Sequence, residues 1–296
     1  MKIGILASEG SWYYRDLERA ATTLGHACER LDFARIVASV ETTRADVRLL
    51  SVNADDIPRS IEHDVIMVRT MPPGSLEQVV FRMDALAQLE QSGTRVINSP
   101  KSLECAVDKY LTTARLRAAG LPVPATIVCE HEDEAQAAFE QLGGDVVAKP
   151  LFGSEGRGIV RVSDPDLAHR TFRTLMRLGT VLYLQRFIPH DGSDVRVLVL
   201  DGQVLGSMRR RSAHDFRTNV ARNAVAEGHQ PTSHEVELAV RATSATGAFI
   251  AGVDLLYDRD GTCYVIEVNA VPGWQAFGKV NRTDVALSLI DRLDRG

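Results

Sequence analysis

The chain has 296 residues, 45% of them apolar and 25% charged, and a formal net charge of −5. This is a globular composition, long enough for two or three domains, and its acidic balance gives no support for a nucleic-acid partner. No apolar run approaches the roughly 18 residues that span a bilayer, so no membrane contact is expected. Cys28, Cys105, Cys129 and Cys263 are too scattered for a disulfide framework or a metal knuckle and read as reduced thiols of a cytoplasmic protein. The opening "MKIGILASEG" reads as a first strand rather than a signal peptide.

In chain order, "KIGILAS" is a strand, "SWYYRDLERAATTLGHA" an amphipathic helix ending near Gly25, and "ACERLDF" a strand. "HDVIMVRT" is a further strand, "PPGSLEQVVFRMDALAQLEQSG" a helix opened by proline, and "TRVINSP" a strand. This alternation predicts a parallel α/β domain over residues 1–98. Ser99 and Pro100 then start one helix that Gly120 and Pro122 stop. After the strand "ATIVCE" and the helix "HEDEAQAAFEQLGG" the pattern changes. Strands arrive in pairs, in "DVVAKPLFGSEGRGIVRV", "VRVLVLDGQVLGSMRRR" and "FIAGVDLLYDRDGTCYVIEVN". The last two pairs carry Asp-Gly, a strong hairpin signal. "AVAEGHQPTSHEV" reads as a polar loop before a last long helix. The fold class is therefore α/β followed by α+β.

The last pair poses a chemical question. With Asp260-Gly261 as a two-residue turn, Arg259 faces Thr262, and counting back sets Asp254 opposite Glu267, with side chains about 5 Å apart. Asn269 shares their face. Two like charges opposed in an apolar hairpin need a compensating cation, and two carboxylates with an amide oxygen suit Mg²⁺. A water-separated surface pair is the alternative, against which the apolar flanks argue. A second group is "VVAKPLFGSEGRGI", where Lys149 precedes glycines that let backbone N–H groups approach an anion. It is neither a Walker A loop nor G-x-G-x-x-G. A third is "RRRSAHDFRTNVARN", where Arg217 and Asn219 share a face if extended. A solvated edge strand is its bland reading. Together the three groups suggest a nucleoside triphosphate.

Taken together, "LPVP", "VVAKPLFGSEGRGIV", "LQRFIP", "DVRVLVLDGQVLGSMRRR", "DFRTNVARN", "AGVDLL" and "VIEVNAVPG" resemble the ATP-grasp superfamily. They are similar to its RimK-type branch of carboxylate–amine ligases that add L-glutamate. The resemblance covers nearly the whole chain. It implies an N-terminal pre-ATP-grasp domain over 1–98, a central subdomain with a glycine-rich lid over 99–184 and a magnesium-binding subdomain over 185–296. It implies that Lys109 and Lys149 reach ATP phosphates, helped by Ser154 and Gly156 of the lid. Gln185, Arg186 and Phe187 look like adenine contacts, and Asp194 like the ribose-side acid. Arg217, Thr218 and Asn219 match the group near the γ-phosphate, with Arg217, Asn219 and Lys149 in catalytic roles. Asp254, Glu267 and Asn269 match the ligands of two Mg²⁺ ions, with Mn²⁺ as a substitute. Arg186 stands where an acidic residue is common, and Met208 where some relatives have Glu near the substrate pocket. The implied reaction forms an acyl-phosphate and then an amide with L-glutamate. The acceptor is a cofactor of the tetrahydromethanopterin kind, towards which Trp274 inclines the reading, or a peptide, ribosomal-protein or carrier-protein carboxylate. A homo-oligomer, dimer or tetramer, is also implied. A non-catalytic ATP-binding module is the reading of another class.

Overall fold

The computed structural model describes residues 1–41, 44–51, 62–153, 157–212 and 225–295. Short apolar runs form its first sheet: β1 (Lys2–Leu6), β2 (Ala27–Glu41), β3 (Arg44–Ser51), β4 (Val65–Val68) and β5 (Arg95–Ile97). The sheet order is β3-β2-β1-β4-β5. β2, β1, β4 and β5 are parallel, as the alternation predicts, but β3 returns antiparallel beside β2. That edge hairpin lies in a stretch without an Asn-Gly or Asp-Gly signal and so escapes sequence reading. Helix α1 (Trp12–Thr23) is capped by Ser11, and α2 (Leu76–Gln91) by a reciprocal Ser75–Gln78 capping box.

The single helix expected after Ser99 is two, α3 (Pro100–Val107) and α4 (Lys109–Ala118). Asp108 breaks it with φ −90° and ψ 107°, and its carboxylate accepts from Leu111 N–H at 3.0 Å to start α4. Thr112 Oγ1 donates to the Cys105 carbonyl at 2.6 Å, satisfying an acceptor that the break frees. The propensity pattern runs smoothly through this point, so only the capping capacity of Asp108 hints at the interruption.

A second sheet follows: β6 (Thr126–Cys129), α5 (Glu132–Gln141), β7 (Val146–Lys149), β8 (Val160–Val162), α6 (Pro165–Arg177) and β9 (Leu182–Arg186). Its strands are antiparallel in the order β6-β9-β7-β8. The boundary expected after residue 184 falls inside β9. The third sheet contains β10 (Ser193–Leu200), β11 (Gln203–Arg211), β12 (Val225–His229), β13 (Ile250–Tyr257) and β14 (Cys263–Asn269), in the order β12-β11-β10-β13-β14. The "AVAEGH" segment, expected as loop, supplies β12, since pairing with β11 outweighs its poor strand composition. Helix α7 (Ser233–Thr246) precedes β13, and α8 (Gln275–Asn281) and α9 (Val285–Arg295) end the chain.

The cores divide unevenly. Residues of the first sheet share two large clusters with the third: Leu6 and Ile66 join Val195 and Val253 in one, and Ile5 and Met67 join Leu198 and Trp274 in the other. The second sheet has its own small core of Phe139, Phe172, Val146 and Leu184 under α5 and α6. Met208, expected near the substrate pocket, is buried in the core with Trp274 and Phe277.

Asn98 fastens the first sheet to the third. It is 1% exposed and uses both ends of its amide. Nδ2 donates to the carbonyls of Ile250 (2.7 Å) and Ala270 (2.5 Å), and Oδ1 accepts from the N–H groups of Phe249 (2.6 Å) and Ile250 (3.0 Å). Replacing it leaves four buried backbone groups unpaired. Asn98→Ala is expected to lower unfolding free energy by about 4 kcal/mol, at roughly 1 kcal/mol for each of the four bonds, read as a shift in the urea midpoint.

Candidate active site

A cleft opens between the second and third sheets, roofed at one end by α4. It encloses about 1000 Å³ counted to its open mouth. Lys109, Lys149, Gln185, Arg186, Phe187, Asp194, Asp254 and Glu267 all line it, although they are scattered over 159 positions of sequence. Ala106, Pro124, Val147, Ile159, Leu256 and Ile266 add apolar wall. Asn269 does not line it. Ser154, Gly156, Arg217, Thr218 and Asn219 lie outside the described residues.

The floor is a buried charge cluster that includes two residues the sequence reading did not single out, Arg196 and Arg210. On β10, Asp194 and Arg196 are two apart and share a face. Strand register sets Arg210 of β11 opposite Asp194, and Asp254 of β13 opposite Arg196. Arg196 grips Asp254 with two parallel bonds, Nε to Oδ1 at 2.6 Å and Nη2 to Oδ2 at 2.7 Å. Arg210 grips Asp194 through Nε at 2.7 Å and through a short Nη2–Oδ2 contact, and its Nη2 also reaches Asp254 at 2.9 Å. Arg210 is 2% exposed and Asp254 4%. Burial alone would raise the Asp254 carboxyl, but Arg196 and Arg210 overcome it and hold it well below the usual carboxylate range. Arg210 is likewise held charged: burial opposes, and the two aspartates more than offset it. The cluster is legible in retrospect from "DVR" facing "RRR" across an Asp-Gly hairpin.

β-Bulges set these pairings. In the β10–β11 hairpin Leu205 is the extra residue, between Val199↔Val204 and Leu198↔Gly206. Gly206 accommodates it with φ +150°, which side chains rarely adopt. A plain Asp201-Gly202 hairpin would set Arg209, not Arg210, against Asp194. In the β13–β14 hairpin the expected Asp254↔Glu267 pair is present, but by another route. The loop has three residues, closed by Asp258 N–H to the Thr262 carbonyl at 3.0 Å, rather than two. Ile266 is an extra residue that restores the register. The two departures cancel.

Glu267 is half-buried and has no hydrogen-bond or ion-pair partner among the described residues. Among the described residues Asn269 Oδ1 accepts only from Val271 N–H, at 2.9 Å. Asp254 has three guanidinium contacts, fewer than the roughly four that a carboxylate can accept. A free carboxylate, a partly free carboxylate and an amide oxygen along two paired strands fit a hard divalent cation such as Mg²⁺.

The upper wall differs from expectation in detail. Lys149, at the end of β7, donates to Gln185 Oε1 at 2.7 Å. Burial draws its ammonium down to about 8, although Glu267 pulls it the other way. Lys109, at the start of α4, donates to the Gly153 carbonyl at 2.8 Å, and burial lowers it as well. Gln185 is buried, and its Nε2 donates to Thr126 Oγ1 and Tyr183 Oη, both at 3.1 Å, so its amide holds Lys149 rather than standing free. The N–H groups of Arg186 and Phe187 are spent on the carbonyls of Ala125 (2.8 Å) and Asp145 (2.9 Å). Arg161, fixed by Asp145, stacks 3.5 Å from the Phe187 ring centroid and covers one face of it.

Because the floor balances two arginines against two aspartates, losing one side strands the other. Arg210→Met is expected to destabilise the fold by about 3–5 kcal/mol, whereas Arg211→Met, on the exposed neighbour, shifts it by under about 0.5 kcal/mol. Guanidinium denaturation of the two variants makes the comparison.

Residues 106–293 match the RimK-like ATP-grasp domain. The tetrahydromethanopterin:alpha-L-glutamate ligase of Methanosarcina acetivorans is 32% identical over 268 residues, covering 86% of this chain and 82% of that protein. A probable alpha-L-glutamate ligase of Mannheimia succiniciproducens is 29% identical, covering 100% of this chain and 98% of that protein. Among solved structures, the ATP-grasp ligase PsnB complexed with a minimal precursor superposes with a TM-score of 0.76 at 21% identity, over 100% of this chain and 99% of that one. A RimK domain protein from Sphaerobacter thermophilus gives 0.74 at 23% identity over 98% of each. These likenesses show the ATP-grasp fold; with the match over most of its length, the chain belongs to the RimK-like ATP-grasp family.

Proposed function

We propose that this protein is an ATP-dependent carboxylate–amine ligase of the cytoplasm that joins L-glutamate to an acceptor carboxylate through an acyl-phosphate. The acceptor is a small cofactor of the tetrahydromethanopterin kind or a peptide. One observation carries the reading: a single cleft sets two desolvated lysines against a floor holding two clamped carboxylates, Asp194 and Asp254, and a third, Glu267, that is unpaired among the described residues. The relatives named alpha-L-glutamate ligases support the amino acid, and the one named for tetrahydromethanopterin supports the acceptor.

In this reading residues 1–98 are the pre-ATP-grasp domain, 99–184 carry the glycine-rich lid over the nucleotide, and 185–296 hold the metal. Asp254, Glu267 and Asn269 would hold Mg²⁺, which supplies charge neutralisation and polarises phosphoryl oxygen when bound. Lys109 and Lys149 place positive charge where ATP phosphates collect. Gln185 fixes the direction of the Lys149 ammonium, and Arg196 with Arg210 keeps Asp254 an anion. The apolar wall of Ile159, Leu256 and Ile266 limits water around an acyl-phosphate that would otherwise hydrolyse. Arg217, Thr218 and Asn219 belong to the same proposal as phosphoryl-side groups.

The test measures ADP release and product mass with Mg²⁺, ATP and L-glutamate. Acceptors are a pterin cofactor, a deazaflavin cofactor, a ribosomal-protein tail and a carrier protein. A glutamate-dependent mass gain on one of them is expected, and the absence of ADP release on all of them counts against the reading. Glu267→Ala is expected to cut turnover by at least about a hundredfold while leaving the melting temperature unchanged. Chelation of wild type with EDTA is expected to do the same, and added Mg²⁺ or Mn²⁺ to restore it.

A further inference from the structure

Neither the cleft nor the proposed chemistry uses Arg69. It follows directly on β4, whose neighbour in the first sheet is β1, while β2 leaves β1 on the opposite side. The strand order therefore reverses between β1 and β4. In open α/β sheets the crevice beyond the carboxyl ends of two such strands is where ligands bind.

Arg69 is an unusual residue to find there. It is 7% exposed, and its guanidinium carbon lies 4.2 Å from the ring centroid of Trp274 and 4.9 Å from that of Tyr13. The two rings meet edge to face at 5.0 Å, forming a corner around it. Nη2 donates to the Pro272 carbonyl at 2.8 Å, while Nε is buried without a partner. No carboxylate pairs with it among the described residues. Asp16, bonded to Trp274 of this corner, is engaged elsewhere: it accepts from Trp274 Nε1 at 2.9 Å and from Arg19 at 2.8 Å.

Burying an unpaired cation costs several kcal/mol; two desolvated aromatic faces return about 2 kcal/mol or more each, and an anion on the guanidinium would add to that. A guanidinium matches a planar carboxylate, which it can take by two parallel bonds. The position is close to the chemistry. Pro272 lies three residues beyond Asn269 and packs beside Gly252, which pairs with Asn269. The side chain of Arg196, which clamps Asp254, packs against the same Gly252. Gly273 is a required glycine, since a Cβ there would sit 2.6 Å from Tyr13 Oη. The aromatic corner is thus pressed directly onto the end of the metal-bearing strand.

We propose that Arg69, held between Tyr13 and Trp274, binds a carboxylate of one of the two molecules this enzyme joins, fixing it beside the end of β14. The identity of those molecules rests on the ligase reading; the carboxylate specificity rests on the geometry alone.

The test is calorimetric binding to wild type, Arg69→Lys and Arg69→Met. Each is first titrated with Mg²⁺ and a non-hydrolysable ATP analogue, which reports the phosphate cleft, and is checked by thermal melt. Nucleotide affinity is expected to be unchanged. L-Glutamate and the acceptor that turns over in the panel are then titrated separately. One of them is expected to lose at least about tenfold in affinity in Arg69→Met, or ~1.4 kcal/mol, and less in Arg69→Lys. The amide of the same carboxylate, glutamine or isoglutamine in the first case, is expected to bind all three proteins alike. The substrate that weakens identifies whose carboxylate is held. Equal affinities of wild type and Arg69→Met for both substrates overturn the proposal. If Arg69→Met does not fold, amides that bind wild type as tightly as their acids overturn it. Should no acceptor turn over, the ligase reading fails by itself, and L-glutamate binding still decides the role of Arg69. Wild type that binds neither L-glutamate nor an acceptor overturns that role too.

Discussion

The buried square of Asp194, Arg196, Arg210 and Asp254 is the constraint from which the rest of the site follows. Each ion would cost several kcal/mol to bury alone, and an apolar replacement of similar volume would be at least as stable. Stability therefore does not explain its presence; position does. The two arginines keep Asp254 ionised 4% exposed at the bottom of a cleft, where a lone carboxyl would protonate. Among the described residues they also leave Glu267, its cross-strand partner, as the one carboxylate on that floor without a protein cation bonded to it. An acidic pair that would repel in an empty hairpin becomes one clamped oxygen donor and one free one. That asymmetry is what a metal-binding floor needs.

Backbone irregularity delivers the charges to their places. Strand side chains alternate with a period of two, so a shift of one residue sends a side chain to the wrong face. The Leu205 bulge brings Arg210 rather than Arg209 onto the floor, and the Ile266 bulge corrects the three-residue loop of the next hairpin. Hairpin counting from the sequence reached the correct Asp254–Glu267 pair because two departures offset each other. The same counting applied to β10 and β11 would have chosen the wrong arginine. Gly206 is the one written sign of that bulge, and a lone glycine in a strand is an ambiguous sign.

What was legible in the chain follows the strength of local signals. Apolar alternation and Asp-Gly turns located the first sheet and the hairpins of the third. Ordered stretches such as "VVAKPLFGSEGRGIV" and "VIEVNAVPG" pointed to the chemistry. The hidden features depend on contacts distant in sequence. Gln185 stands in the stretch that resembles a nucleotide contact, and its further role as the support of Lys149, 36 positions away, is visible only in the fold. Asn98 sits in an unremarkable "RVINSP" and spends its whole amide on residues about 150 positions later. Arg69 is a single basic residue at the end of an apolar run, and only the fold brings Trp274 and Tyr13 around it.

The division of the cores ties these residues into one arrangement. The first and third sheets share two clusters, and Asn98–Ala270 and Arg69–Pro272 bind them again through polar contacts. The aromatic corner around Arg69 and the carboxylate floor are therefore parts of one packed body. Lys149 belongs to the second sheet, whose core is separate. Lys109 is the link: α4 packs Leu116 into the large shared core, while the Lys109 ammonium reaches across to Gly153 in the loop after β7. The Arg69 side, where a carboxylate is proposed to bind, and the oxygen donors of the floor are thus fixed relative to each other by shared packing. Lys149, the proposed phosphate-side cation, is fixed to them chiefly through Lys109 and through whatever fills the cleft. In the proposed reaction, the geometry in which a carboxylate must meet a phosphoryl group is then set on one side by the protein alone and on the other by the bound nucleotide itself.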